Sequence, residues 1–136
     1  MAFAFNKDRS RLDIGRKVAS RGTDFDISDK VSLGFITLER TSDIVVLDFL
    51  LVVNDDISAG SDIITFDNSD FLPRANVYGV PLLFTQQSMF DAENTTSSAV
   101  ESQLFMTTSG LSLVKGITYK SNYFNRLRGH FVYAAQ

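Results

Sequence analysis

Beyond the first 30 residues, the chain alternates short apolar runs with clusters of turn-forming residues. The first run puts Val31, Leu33 and Phe35 on one face of a predicted strand. The next run, Ile44–Val53, is apolar except for Asp48, and its β-branched residues favour a strand over a helix. A strand that is apolar on both faces is predicted to be covered on both, either by a second sheet or by another subunit.

Further strands are predicted at Ile63–Phe66, Val77–Phe84 and Leu127–Ala134. Ser109-Gly110 lies where a two-residue hairpin turn is expected. Thr85–Ser102 is predicted to be a long irregular loop, of the kind that often carries function. Short strands separated by turn residues, with no helix of useful length, predict an all-β fold, an antiparallel β-sandwich.

The first 30 residues differ from the rest because polar and charged side chains outnumber large apolar ones there. We predict an extended N-terminal arm at residues 1–30, with a short strand at Leu12–Val18, and a β-sandwich head domain at residues 31–136. Residues 1–22 carry a net charge of +4, and because the whole chain is −3, the remainder is −7. Aromatic side chains that could stack on bases do not alternate with these basic residues, so the arm is predicted to bind protein and not nucleic acid.

Composition limits the chemistry that the chain can perform. It has no cysteine, which excludes disulfides, thiolate nucleophiles and cysteine-based zinc sites. Its 12 Phe and 4 Tyr can build a dense core without disulfide or metal cross-links. There is no apolar run long enough to span a membrane, so no membrane association is predicted. The first seven residues lack the features of a signal peptide, and we expect synthesis in a cytoplasm without an export signal.

No catalytic constellation is predicted. His130 is the only histidine, and it stands on the strand face opposite Leu127 and Phe131. We therefore interpret it as a surface or interface residue and not as a catalytic base. The glycines match no phosphate-binding spacing. The chain is predicted to be no enzyme and to hold no cofactor and no metal.

Carboxylates cluster in three predicted loops, and two other interpretations of them stay open. Paired carboxylates can run glycoside hydrolysis at a defined separation, or bind calcium together with backbone oxygens. Aspartates also cap their own turns, which explains them without a ligand. The three clusters are Asp55 with Asp56, Asp67 with Asp70, and Asp91 with Glu93. Asp48 is a separate case, because a carboxylate inside an apolar strand needs a partner, and we predict a structural pair with an arginine from another strand or subunit.

Residues 119–125, Tyr-Lys-Ser-Asn-Tyr-Phe-Asn, mix aromatic rings with amide and hydroxyl groups between two predicted strands. This mixture suits saccharide binding, because a ring packs on the apolar face of a sugar while polar groups bind its hydroxyls. The alternative is that the tyrosines fill the core and the asparagines form the turn. The candidate saccharide-binding residues are Tyr119, Asn122, Tyr123, Asn125 and His130, with the loop acids Asp67 and Asp70 as further candidates.

Four short motifs follow one another between about residue 40 and residue 136. They are Ser58-Ala59-Gly60-Ser61, Leu72-Pro73-Arg74, Thr108-Ser109-Gly110-Leu111 and Phe131-Val132-Tyr133. In this order they resemble the C-terminal head modules of bacteriophage tail fibres and baseplate receptor-binding proteins.

The resemblance implies a jelly-roll-like sandwich that assembles as a homotrimer and binds a cell-wall saccharide of a Gram-positive host. It also implies a place in the virion, at the tail tip or baseplate, where the N-terminal arm would contact other virion proteins. Binding sites in such heads lie near subunit interfaces or on distal loops. A purely structural role, as a baseplate adaptor or capsid decoration, is the alternative expectation.

Overall fold

The computed structural model of the chain describes residues 16–91, 93–98 and 103–136. These ranges contain eleven β-strands and one short 3₁₀ helix, Ser69–Phe71. In chain order the strands are β1 (Arg16–Val18), β2 (Phe25–Ile27), β3 (Val31–Thr41), β4 (Ile44–Val53), β5 (Asp62–Phe66), β6 (Val77–Pro81), β7 (Leu83–Ser88), β8 (Thr95–Ser98), β9 (Gln103–Met106), β10 (Gly110–Leu113) and β11 (Tyr123–Ala134).

The strands form two antiparallel sheets that pack against each other. One sheet has six strands in the order β1-β3-β4-β11-β7-β8, and the other has five in the order β2-β5-β10-β9-β6. Buried side chains from both sheets belong to one hydrophobic core, which holds the apolar area that drives folding. The prediction of an all-β antiparallel sandwich is therefore confirmed.

Part of the predicted arm belongs to the sandwich. Within residues 16–30, β1 pairs with β3 and β2 pairs with β5, so this segment adds a strand to each sheet. Phe25 is buried in the core, with 4% of its surface exposed. Of the predicted strand Leu12–Val18, the described part is β1, and residues 1–15 lie outside the described residues.

Strand β4 alternates strictly between a buried and a partly exposed face. Its inward side chains are 0–1% exposed, and they are Val45, Leu47, Phe49, Leu51 and Val53. Only one face of β4 is covered by a second sheet, because Ile44 is 44% exposed and the other outward side chains are only half-buried. The alternative, that another subunit covers the outward face, stays a prediction. The alternation itself, with a period of two, is what one sheet packed on another requires.

The prediction that Val31, Leu33 and Phe35 share one face is wrong for Phe35. Phe35 lies opposite the outward-facing Leu50, whereas Val31 and Leu33 lie opposite inward-facing residues of β4. Val31 is buried, whereas Leu33 is 42% exposed and Phe35 is 38% exposed. The pairing of β3 with β4 shifts its register between Leu33 and Phe35. A bulge of this kind moves the following side chains to the opposite face. Gly34 sits at the bulge, where an added Cβ would lie 2.6 Å from the carbonyl oxygen of Leu50.

The single strand predicted at Val77–Phe84 is two strands in different sheets. β6 ends at Pro81, and β7 begins after the buried Leu82. The irregular loop predicted at Thr85–Ser102 is also wrong in part, because its first four residues continue β7 and Thr95–Ser98 pairs with them as β8. These strands carry polar side chains and lack the apolar alternation that marks a half-buried strand in a sequence.

The hairpin of β9 and β10 turns through residues 107–109, so the predicted two-residue turn at Ser109-Gly110 is wrong. Gly110 is the first residue of β10. An added Cβ there would lie 2.3 Å from the carbonyl oxygen of Ile64 in β5. Glycine is needed at position 110 because β10 and β5 approach closely there, and not because the turn needs a positive φ.

Asp48 pairs as predicted, with an arginine from another strand. Its carboxylate accepts from Nη1 of Arg128 in β11, and Nδ1 of His130 lies 3.5 Å from the same oxygen. The guanidinium of Arg128 also stacks over the ring of Phe35 at 5.1 Å. The charged pair is thus held among apolar side chains on the outward face of the six-stranded sheet.

Candidate functional site

The turn that leads into β11, together with the first residues of that strand, is organised by one buried amide. Asn125 is 1% exposed, and its side chain accepts from the Lys120 amide at 3.0 Å and donates to the carbonyl oxygens of Lys120 at 2.9 Å and Tyr123 at 3.0 Å. It also accepts from Gln86 Nε2 in β7 at 2.7 Å. All four contacts are internal, so the side chain of Asn125 fixes the turn and does not face a ligand.

Two other predicted residues near this turn, Tyr123 and Tyr119, are also engaged with their neighbours. The hydroxyl of Tyr123 accepts from Asn94 Nδ2 at 2.7 Å, and the ammonium of Lys120 lies 4.0 Å from the centre of the same ring. Tyr119 packs partly against the core. Asn122 adopts φ 64°, a left-handed conformation that asparagine tolerates better than most residues. The turn supports the alternative interpretation, in which these residues form core and turn, at least as well as it supports a saccharide site.

Substitution of Asn125 by alanine is expected to lower the free energy of unfolding by about 3 kcal/mol, because buried donors and acceptors lose their partners. Equilibrium urea denaturation measures the change. Asn94→Ala is the matched control, since Asn94 is exposed and makes a hydrogen bond to the same turn. Equal and small effects of the two substitutions would contradict the role given to Asn125.

The remaining predicted site residues lie elsewhere. His130 projects from the middle of β11 beside Asp48, on the outward face of the six-stranded sheet. Asp67 is exposed, and Asp70 lies in the 3₁₀ helix, where its carboxylate pairs with Lys17. The seven candidates therefore lie in three separate parts of the fold. The fold does not bring them together into one site.

A cavity that the sequence did not indicate lies on the outward face of the five-stranded sheet. Its volume is about 420 Å³, and it is lined by Gly60, Tyr78, Gly79, Phe105, Ser112, Leu113 and Val114. The alternation along β9 fixes this placement, because Leu104 and Met106 are buried in the core and Phe105 points the other way.

Two stacked aromatic rings form the wall of the cavity. The ring centres of Tyr78 and Phe105 are 4.6 Å apart with an interplanar angle of 30°. Tyr78 is 71% exposed, so one face of the stack remains open to solvent. Gly79 follows with φ 68°, at a register shift in the pairing of β6 with β9, and this bulge turns Tyr78 outward.

Sequence reasoning missed Tyr78 and Phe105 for an identifiable reason. The bulge at Tyr78-Gly79 decides which way Tyr78 points, and Phe105 is brought to it only by the pairing of β6 with β9. The tyrosine followed by a glycine within an apolar run was the available signal, since such a glycine often marks a bulge.

The lining of the cavity suits the binding of a ligand, and none of its side chains is an evident catalytic group. Aromatic and aliphatic side chains line it, and the hydroxyl of Ser112 donates to the carbonyl oxygen of Phe105 at 3.2 Å. Within the described residues, no group of three or more histidines, cysteines and carboxylates is close enough together to hold a metal ion. In the same part of the chain, no helix has the length and apolarity needed to cross a membrane.

Comparison of the chain with protein-family models, with curated proteins and with solved structures finds no match. Function is therefore inferred from the residues and their arrangement.

Proposed function

We propose that this chain is a non-enzymatic recognition module of a bacteriophage tail or baseplate that binds a host cell-surface saccharide. The observation that carries the proposal is the open aromatic stack of Tyr78 and Phe105 in the wall of the cavity. A pyranose ring has one face of C–H groups, which packs favourably against an aromatic plane of this kind. Exposed aromatic side chains in a concave site are also frequent anchors of binding free energy.

The phage assignment rests on the resemblance of the motif order to tail-fibre and baseplate head modules, and the β-sandwich is the fold that this resemblance implies. In such a particle the chain would act as a homotrimer at the tail tip, with its basic N-terminal segment against other virion proteins. A weak single site, with a dissociation constant on the order of a millimolar, becomes effective when many copies bind together.

A glycan array probed with the full chain tests the saccharide proposal. We expect binding to a subset of cell-wall saccharides that is competed by the free sugar. If protein that is shown to be folded binds no saccharide on the array, the proposal is contradicted.

A structural role in virion assembly is the second candidate, and one observation favours it. The outward face of the six-stranded sheet exposes many apolar side chains between charged or polar ones, which include Asp48, Arg126, Arg128 and His130. Its exposed or half-buried apolar side chains are Phe35, Ile44, Val46, Leu50, Val52, Leu83, Phe124 and Val132. Exposed apolar side chains interleaved with charged ones are typical of a protein-interaction surface. This outward face is where we propose that copies of the chain associate.

Substitution of Val132 by lysine is expected to dissociate the oligomer, because Val132 is 55% exposed on that face and a buried lysine would lack a partner. Light scattering should give three times 15.1 kDa for the natural chain and the monomer mass for the variant. Val114→Lys is the matched control, since Val114 is 49% exposed on the opposite side of the sandwich. A natural chain that is monomeric at high concentration would contradict self-association.

A further inference from the structure

Asp62 and the aromatic stack belong to one line of side chains across the five-stranded sheet. Phe105 lies opposite Ser112, and Ser112 lies opposite Asp62, in the strand pairings of β10. Residues directly opposite each other share a face, and Tyr78 extends the line by stacking on Phe105. Neighbouring strands are about 4.8 Å apart, so the line crosses four strands over roughly 14 Å.

Asp62 is the chemically unusual member of this line. Across the described part of the chain, its carboxylate has no hydrogen-bond or ion-pair partner. Burial raises the pKa of Asp62, and no neighbouring cation counteracts that shift. A partly buried, unpaired carboxylate costs folding free energy at neutral pH. The stability of the fold therefore gives no reason for an aspartate at this position.

The strand between Asp62 and Phe105 carries little side-chain bulk. The two β10 residues that face outward there are Gly110 and Ser112, which have small side chains or none. The carboxyl carbon of Asp62 lies 3.3 Å from the position that a Cβ on Gly110 would occupy, so the carboxylate extends along the sheet over β10. A chain-like ligand could thus lie close to the sheet and reach both ends of the line.

We propose that this line is an extended saccharide site, in which one sugar ring packs on Tyr78 and Phe105 and the next presents a hydroxyl or ammonium group to Asp62. The inference rests on the proposed saccharide-binding function and specifies its ligand. That ligand is an oligosaccharide of at least two rings, uncharged or bearing amines. Anionic saccharides are excluded, because an acidic group beside Asp62 would face an uncompensated like charge.

Isothermal titration calorimetry with three defined series tests this specificity. The probes are mono-, di- and trisaccharides of N-acetylglucosamine (uncharged), glucosamine (amine-bearing) and galacturonate (anionic). We expect the natural chain to bind the uncharged and amine-bearing disaccharides about tenfold more tightly than the monosaccharides, as one additional charge-assisted hydrogen bond provides. Galacturonate oligomers should bind no better than their monomer.

The substitution Asp62→Asn should remove the roughly tenfold increase in affinity from monosaccharide to disaccharide. It should leave the affinity for the monosaccharide unchanged. Asp43→Asn is the control, because it removes an equal charge from an exposed carboxylate that pairs with Arg74 in another part of the fold. The urea midpoint of Asp62→Asn should equal or exceed that of the natural chain, whereas a lower midpoint would mean a structural role and would overturn the inference.

The two proposals fail in different ways. If saccharides bind but the Asp62→Asn variant keeps the full increase in affinity with ligand length, the extended site is wrong and saccharide recognition stands. The same conclusion follows if galacturonate oligomers are preferred. If no saccharide of any series binds the natural chain, both proposals are wrong.

Discussion

Substitution of Phe49 by alanine is expected to lower the free energy of unfolding by about 3–5 kcal/mol, the usual cost of removing a large buried ring. Phe49 is fully buried in the centre of β4, directly opposite Gly129 in β11. An added Cβ on Gly129 would lie 2.5 Å from two atoms of the Phe49 ring. The ring therefore occupies the space that any other residue at position 129 would need.

This contact predicts strong coupling between the two positions. Gly129→Ala alone should cost about 1–3 kcal/mol, because the methyl group overpacks the core. In the Phe49→Ala background the same methyl enters the vacated space, so the substitution should cost little or become stabilising. Urea denaturation of the four proteins in this double-mutant cycle measures the coupling.

A matched pair on the same two strands serves as the control. Val46 and Val132 are also directly opposite each other, but they point outward, and Val132 is 55% exposed. Alanine at these positions should cost about 1 kcal/mol or less each, with little coupling. Additive effects of the Phe49 and Gly129 substitutions would show that the ring does not fill the space over Gly129.

Substitution of Tyr78 by alanine is expected to weaken saccharide binding by about thirtyfold or more, the effect of losing an aromatic anchor worth about 2 kcal/mol. Stability should change by no more than about 0.5 kcal/mol, because the side chain is largely exposed and leaves no cavity in the core. Titration of the bound oligosaccharide by calorimetry or NMR measures the loss of affinity.

Two further variants locate the site. Tyr78→Phe should retain most of the affinity, because the ring that stacks on Phe105 is kept. Tyr123→Ala removes a tyrosine from the other candidate site, the turn before β11, and should leave binding unchanged. If Tyr123→Ala loses binding and Tyr78→Ala keeps it, the saccharide site is in the turn, and the cavity is not where the ligand binds.

The features predicted correctly depend on local pattern. Alternation along β11 placed Leu127 inward and His130 outward, and burial in the structure agrees. The partner of Asp48 could also be anticipated, because a carboxylate in an apolar strand is costly unless a cation meets it. These conclusions need only the period of two and the cost of burying charge.

The errors come from places where register or long-range pairing decides the outcome. A bulge at Gly34 moved Phe35 to the face opposite Val31 and Leu33, and a one-residue slip leaves no mark in the apolar pattern. Gly110 was assigned to a turn because its close neighbour, the backbone of Ile64, is far away in the sequence.

The all-β sandwich and the lack of cysteine chemistry follow from the linear chain, since composition and the period of the apolar pattern can be read without knowledge of the fold. The position of the candidate ligand site, in contrast, follows from the folded chain. Tyr78, Phe105 and Asp62 come from three strands that are distant in sequence, and strand order and register place them on one face. Pairing between distant strands is set by the packing of the whole core, so no local pattern encodes that line of side chains.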